Sequence, residues 1–253
     1  MPGLFDLDAV GVPGCSGKVV MTFCGKFRSG ASGLTILVLI SILSHSTLAG
    51  ATEKCLIIAM PEVRMTGDGI EPYRDAMQKA GVCVKPIRMP LARVGQALSH
   101  GEIDGALAEL EGFQQRVDRP IIRGNVRVGL VDGMLVVRSG KTSGISDLTD
   151  ESVGVWLGSD WSDVLLADHP KVVRVPRGPE MMQKMLRYGR LDAMLLDSYS
   201  LSVTGGTPDG FQAIPVTSLS VYSWLAVDHA DLLPAFDEGT SLFLKMIIEW
   251  RQK

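Results

Sequence analysis

Two carboxylates stand close together at the end of an apolar run: Glu109 and Glu111, followed by Gly112-Phe113, with Arg116 further along. By Coulomb's law such an acidic mouth repels a ligand carboxylate and attracts a cation. The same pair would also serve simply to solvate a loop, and both readings stand at this level. Glu62, just past another apolar run, has the address of a further cleft carboxylate. Metal and nucleophile chemistry find no support. His100, His169 and His229 are scattered, with no His-Glu-x-x-His or Cys-x-x-Cys spacing and no Gly-x-Ser-x-Gly elbow. Gly140-Lys141-Thr142 resembles the end of a phosphate loop, but the glycine it needs falls at Leu135. Gly67-x-Gly69 reaches Pro72 where a dinucleotide fingerprint needs glycine. No pattern calls for a cofactor.

The elements that must position these groups start with what is removed. Leu34–Leu43 is an uncharged apolar run, preceded by Lys26 and Arg28 and followed by Ala49-Gly50-Ala51. A positive segment, a short apolar core and a small-x-small motif make an export signal. Ten helical residues span roughly 15 Å, about half of a bilayer's apolar core, which disfavours the alternative of a permanent anchor. Residues 1–20 carry Asp6 and Asp8, which oppose a positive segment, so Met21 is the expected biological start. The expected signal peptide is thus 1–51, with cleavage after Ala51, and the expected location is the periplasm. No cysteine follows the cleavage motif directly, so no lipid anchor is expected. Cys55 and Cys83 remain as a pair in an oxidising compartment. They either form a disulfide or stay as two buried thiols.

The chain has 253 residues, 46% of them hydrophobic and 21% charged, with a formal net charge of −3. That is ordinary globular composition. A mildly acidic balance lacks the basic stripe that neutralises phosphates, so nucleic acid is not an expected partner.

After the leader, strand and helix patterns alternate. Cys55–Met60 reads as a buried strand, Glu71–Ala80 as a helix stopped at Gly81, and Val82–Met89 as a strand. Ala92–Ser99 is helical and Ile103–Leu110 a third strand. Val126–Arg138 is a long β-rich stretch interrupted by Gly133, followed by a polar break at 139–146. The alternation then restarts with strand Val153–Leu157, helix Ser162–Ala167, strand Val172–Val175, helix Glu180–Tyr188 and strand Leu191–Leu196. A loop at 205–210 leads to extended Phe211–Val216 and Val221–Val227, then a terminal helix from about Ala230. Two βαβαβ halves of this kind make two α/β lobes, and parallel sheets bind ligands at the carboxyl ends of their strands. The expected fold is therefore α/β, with a cleft between two βαβ lobes and a C-terminal helix. Lobe one is expected to be 52–137 plus 218–253, and lobe two 138–217.

Three phrases in order carry a family likeness: Gly101-Glu102-Ile103-Asp104-Gly105-Ala106-Leu107; Asp147-Leu148 with Val153-Gly154-Val155-Trp156-Leu157-Gly158-Ser159; and Gly189-Arg190-Leu191-Asp192-Ala193-Met194-Leu195-Leu196-Asp197. Across 53–253 the chain resembles the type 2 periplasmic binding proteins, specifically the family 3 solute-binding proteins of amino-acid ABC transporters. The resemblance implies capture of a small polar ligand, an amino acid or amine, for an inner-membrane permease by a monomeric protein. A ligand sensor for a signalling receptor is the alternative role.

By position, the resemblance puts lobe-two ligand contacts at Gly158, Ser159 and Asp197. Helix-start N–H groups near Ser159 suit a carboxylate, and Asp197 suits an ammonium. Ser159 is equally placed as a helix cap, a role for which Asp160 competes. Of the aromatic residues Tyr73, Phe113, Trp156, Trp161 and Tyr199, Trp161 is the expected cleft residue, while Phe113 and Trp156 are expected in the core. The chain departs from the family in lobe one, where no clear counterpart of the carboxylate-binding arginine is found. A periplasmic dehydratase on the same fold is an enzyme alternative, with Glu109 or Asp197 as acid/base, but the missing arginine weakens it.

Overall fold

The computed structural model describes residues 54–62, 69–140 and 142–251. The expected leader, its cleavage site and Met21 lie outside the described residues. Gly50–Lys253 form a single compact unit.

The first half runs β1 (Leu56–Pro61), α1 (Ile70–Lys79), β2 (Val84–Met89), α2 (Leu91–Ser99) and β3 (Gly105–Leu110). β1 pairs in parallel with both β2 and β3. The second half repeats this with β5 (Val153–Trp156), α3 (Asp160–Leu165), β6 (Val172–Val175), α4 (Gly178–Arg187) and β7 (Ala193–Asp197). β5 pairs in parallel with β6 and β7. Two long strands join the halves: β4 (Ile121–Arg138) and β8 (Phe211–Ala226), antiparallel to each other. β3 pairs with the C-terminal part of β8, and β7 with the C-terminal part of β4. The result is one eight-stranded sheet in the order β2-β1-β3-β8-β4-β7-β5-β6.

Alternation along each strand explains why both faces are covered. Leu56, Ile58 and Met60 of β1 face α1 and the C-terminal helix α6 (Leu233–Arg251), meeting Tyr73, Met77, Phe236 and Phe243. Ala59 faces the other way, toward Val94 and Leu98 of α2 with Phe113 and Trp224. In the second half Val136, Met194 and Leu196 meet Met182 and Leu186 of α4, while Leu135, Leu195 and Val155 cover the opposite face with Leu166. Tyr73 packs edge-on against Phe243 at 5.2 Å between centroids. Its buried hydroxyl has no hydrogen-bond partner among the described residues, and burial raises its pKa well above the ordinary value. Cys55 and Cys83 are joined by a disulfide, with Cα atoms 4.6 Å apart, tying the chain before β1 to the chain before β2. Closing a loop of 28 residues stabilises by roughly 3–4 kcal/mol in the chain-entropy account. Among the described residues, no helix is long and apolar enough to cross a membrane.

Three sequence expectations change here. Gly133 does not interrupt β4, and the two expected extended segments at 211–216 and 221–227 are one strand, β8. The reason lies at one place. The β4–β8 register shifts between Gly133 and Met134, where Met134 faces Pro215. Pro215 cannot donate to the ladder, and a bulge there absorbs the lost bond. The terminal helix also begins later than Ala230, because Val227–Leu232 forms 3₁₀ turns before α6.

The candidate ligand cleft

The carboxyl ends of the parallel strands converge on one cavity of about 910 Å³. β1 contributes Pro61 and Glu62, β3 contributes Glu109 to Glu111, β5 leads into Gly158 and Ser159, and β7 ends at Asp197. These are the positions where open α/β sheets present ligands. All six residues expected at the site, Glu62, Glu109, Gly158, Ser159, Trp161 and Asp197, line this cavity.

Glu109 is only 6% exposed. It faces Tyr222 of β8 in the ladder, directly after a register shift between Ala106 and Glu109. A bulge of this kind turns a side chain away from regular alternation. Burial pushes the Glu109 carboxyl up to about 8; the Arg116 guanidinium pulls against that rise and Asp160 adds to it. Glu111 separates from it. It is exposed and paired with Arg123 at 2.5 Å, and that guanidinium stacks over Tyr222 at 4.3 Å. One carboxylate of the pair is therefore inside the cleft, and the other is neutralised at its rim.

Arg116, which the sequence placed only further along from Glu109 and Glu111, also lines the cavity. A 3₁₀ turn, Phe113–Arg116, follows Gly112, whose φ of 93° suits glycine. The turn packs so closely on α2 that a Cβ at Gly95 would lie 3.0 Å from the Arg116 carbonyl oxygen. Its guanidinium stands 5.6 Å over the Phe113 ring, 4.0 Å from Glu109 Oε2 and 2.7 Å from Asp160 Oδ2. Lobe one thus does place an arginine at the cavity, already paired with Asp160. Its trace in the sequence was a turn of glycine and an aromatic residue just after β3, with an arginine at its end.

The second βαβαβ half supplies the other wall. Gly158 has φ 94°, and a Cβ there would lie 2.6 Å from the Ala92 backbone. Glycine at 158 lets the loop after β5 touch the start of α2 on the opposite side. Ser159 precedes α3 but makes no capping hydrogen bond with its hydroxyl. Its carbonyl oxygen instead accepts from the Ser162 hydroxyl at 2.5 Å. Asp160 opens the helix, its carboxyl raised by burial against the pull of Arg116, with Asp163 adding to the rise. Trp161 lines the cavity, and its ring also covers Gly133 of β4: a Cβ at Gly133 would lie 2.6 Å from Cζ3. Trp156 and Phe113, expected in the core, are buried there and also border the cavity.

Asp197 has a structural role that the sequence reading did not include. Its Oδ1 accepts from the Ser200 backbone N–H at 2.8 Å and caps α5 (Ser198–Val203). That short helix was not expected. An aspartate followed by two serines within three residues was its available capping signature.

The lining is acidic overall, with Glu62, Glu109, Glu111, Asp160 and Asp197 against Arg116 and Arg127. The rest is largely apolar, including Met60, Met89, Leu91, Trp156 and Tyr199. Such a lining is chemically suited to a small polar molecule with an apolar body.

No protein-family model matches the chain, and no curated protein matches it in sequence. Solved structures do resemble it. The GluR0 ligand-binding core from Nostoc punctiforme, in complex with L-glutamate, is 16% identical with a TM-score of 0.63, covering 76% of this chain and 96% of that one. Holo ArgBP from T. maritima is 16% identical with a TM-score of 0.62, covering 79% and 96%. The amino acid ABC transporter substrate-binding protein AbpA from Streptococcus pneumoniae, bound to L-arginine, is 15% identical with a TM-score of 0.62, covering 78% and 94%. The repeated βαβαβ halves, the two crossing strands and these likenesses agree: the chain has the two-lobed type 2 periplasmic-binding-protein fold, closed by a C-terminal helix.

Proposed function

We propose that this protein is a periplasmic solute-binding protein that captures a small polar ligand, an amino acid or an amine, between its two lobes. An inner-membrane ABC permease receives the ligand. The observation that carries this reading is the cavity of about 910 Å³, walled by charged groups from the carboxyl ends of strands in both halves. The likeness to amino-acid-binding structures, including an ABC transporter substrate-binding protein, supports it. Glu62, Glu109 and Arg116 contact the ligand from lobe one, and Gly158, Ser159, Trp161 and Asp197 from lobe two. The lobes divide near 137–138 and 217–218, and closure bends β4 and β8. The ligand drives closure by binding the closed arrangement better than the open one. The fold neighbours are binding proteins, and no reaction is assigned to the cleft.

Thermal melting of the purified protein against amino acids, amines and small organic acids tests this. A true ligand at 100 times its Kd stabilises the protein by about 2.7 kcal/mol. Absence of any shift across the three classes would remove the solute-binding reading. A second reading, a sensor that hands its ligand to a signalling receptor, draws on the likeness to a ligand-binding core. Ligand uptake by cells with and without the gene separates the two, because only the transport role makes uptake depend on it.

A further inference from the structure

We propose that Glu109 is the group that selects the ligand, and that it selects an organic ammonium or guanidinium cation needing no carboxylate. The inference rests on the solute-binding reading above and narrows it to a substrate class.

Three independent features of the cleft lead there. Glu109 is more than nine-tenths buried and borders the cavity, and its side chain makes no hydrogen bond among the described residues. Its nearest cation, Arg116, is 4.0 Å away, beyond hydrogen-bond reach. A buried carboxyl without donors gains most from a ligand that brings both donors and positive charge. The second feature is that Arg116 is already occupied, since Asp160 lies 2.7 Å from its Nε. A ligand carboxylate would have to displace Asp160 and then face the remaining acidic lining. The third is the wall itself: Phe113, Met89, Leu91 and Trp156 offer apolar and aromatic surface for an amine's carbon skeleton.

The charge balance is explicit. With burial holding its carboxyl near 8, Glu109 carries a proton in the empty cleft at neutral pH. Binding of a cation ionises it: the carboxyl O–H bond breaks, the proton leaves to solvent, and the ligand cation takes its place. The groups facing Glu109 are Arg116 from the 3₁₀ turn, which favours ionisation, and Asp160 from α3, which opposes it. Tyr222 is its ladder partner on β8, while Glu62 after β1, Asp197 at the end of β7 and Arg127 on β4 border the same cavity.

Matched pairs of probes test the proposal on the purified protein: putrescine with L-ornithine, and agmatine with L-arginine. Each amine is the amino acid without its carboxylate. Titration calorimetry in two buffers of different ionisation enthalpy reads affinity and proton release together. The expected result is that at least one amine binds as tightly as its amino acid or more tightly. It should release up to about one proton, with affinity rising about tenfold per pH unit below 8. Glu109→Gln, confirmed as folded by its melting transition, should lose amine affinity at least tenfold and release no proton. Binding of the amino acids without their amines overturns the proposal and leaves the solute-binding reading standing. So does amine binding that a folded Glu109→Gln variant leaves unchanged. If none of the four probes binds, Glu109 selection of a cation is also overturned, and the wider melting screen decides the solute-binding reading separately.

Discussion

Arg116 and Asp160 form an ion pair across the cleft, Nε to Oδ2 at 2.7 Å, joining the turn after β3 to the first turn of α3. These two residues belong to different halves of the duplicated fold, so the pair links the two sides of the cleft. Both side chains retain solvent contact, which limits the pair to about 1 kcal/mol. Asp160→Asn should shift the empty protein toward a more open form, seen as a larger radius of gyration in small-angle scattering. It also frees Arg116, so affinity for zwitterionic amino acids should rise relative to amines. An unchanged scattering profile and an unchanged ratio of affinities would show that the pair does not hold the cleft.

Gly158 tests closure from the other wall. Alanine there must adopt φ near 94° and place its Cβ 2.6 Å from the Ala92 backbone. Strain at such a backbone position costs about 1–3 kcal/mol, and relief comes by moving the loop away from α2. Gly158→Ala should therefore melt a few degrees lower and bind any ligand of the wild type at least tenfold more weakly. Retained affinity would mean that the contact with Ala92 is not part of the bound state.

Glu109 makes the empty protein's stability depend on pH. Its carboxyl is raised from 4.5 to about 8 in the folded chain, so between those values the folded state holds a proton that the unfolded state has lost. Stability then falls as pH rises through this window, by at most about 1.4 kcal/mol per unit, and levels off above 8. Denaturant melts at pH 5, 6.5 and 8 should show the fall, and Glu109→Gln should flatten it. A Glu109→Gln variant with the same slope as the wild type would assign the dependence elsewhere.

Asp197 caps α5 and borders the cavity, and two substitutions separate those roles. Asp197→Ala removes the acceptor for the Ser200 N–H and should cost about 1 kcal/mol of stability. Asp197→Asn keeps a capping oxygen while removing the charge, so its melting temperature should stay near the wild type. If Asp197 contacts a cationic ligand, the asparagine variant binds amines more weakly despite normal stability. Unaltered amine binding by that variant would leave Asp197 with the cap alone.

Much of this architecture was legible locally. Short apolar runs ended by Pro61 or Pro90, and helices stopped at Gly81 and Gly189, mark both βαβαβ halves, because strand and helix periodicity acts over a few residues. The strand ends indicate where open α/β sheets present ligands, which draws attention to Glu109, while Ser159 and Asp197 are named by the family resemblance. Local pattern fails where one strand serves two halves. Gly133 and Pro215 look like breaks, but they face each other's strands at a single bulge, and only pairing across the sheet keeps both strands continuous.

What the sequence by itself determined is the two repeated sets of strands and helices and the strand ends where charged residues gather, since periodicity, turn residues and formal charge are properties of neighbours along the chain. Tertiary structure alone decided that Cys55 meets Cys83, that Glu109 is buried while Glu111 reaches an arginine at the rim, and that Arg116 lies in the cleft. The physical reason is common to all three. Burial and charge pairing depend on which distant segments the closed sheet brings within a few ångströms. Arg116 finds Asp160 only after β4 has carried the chain from one half of the sheet to the other.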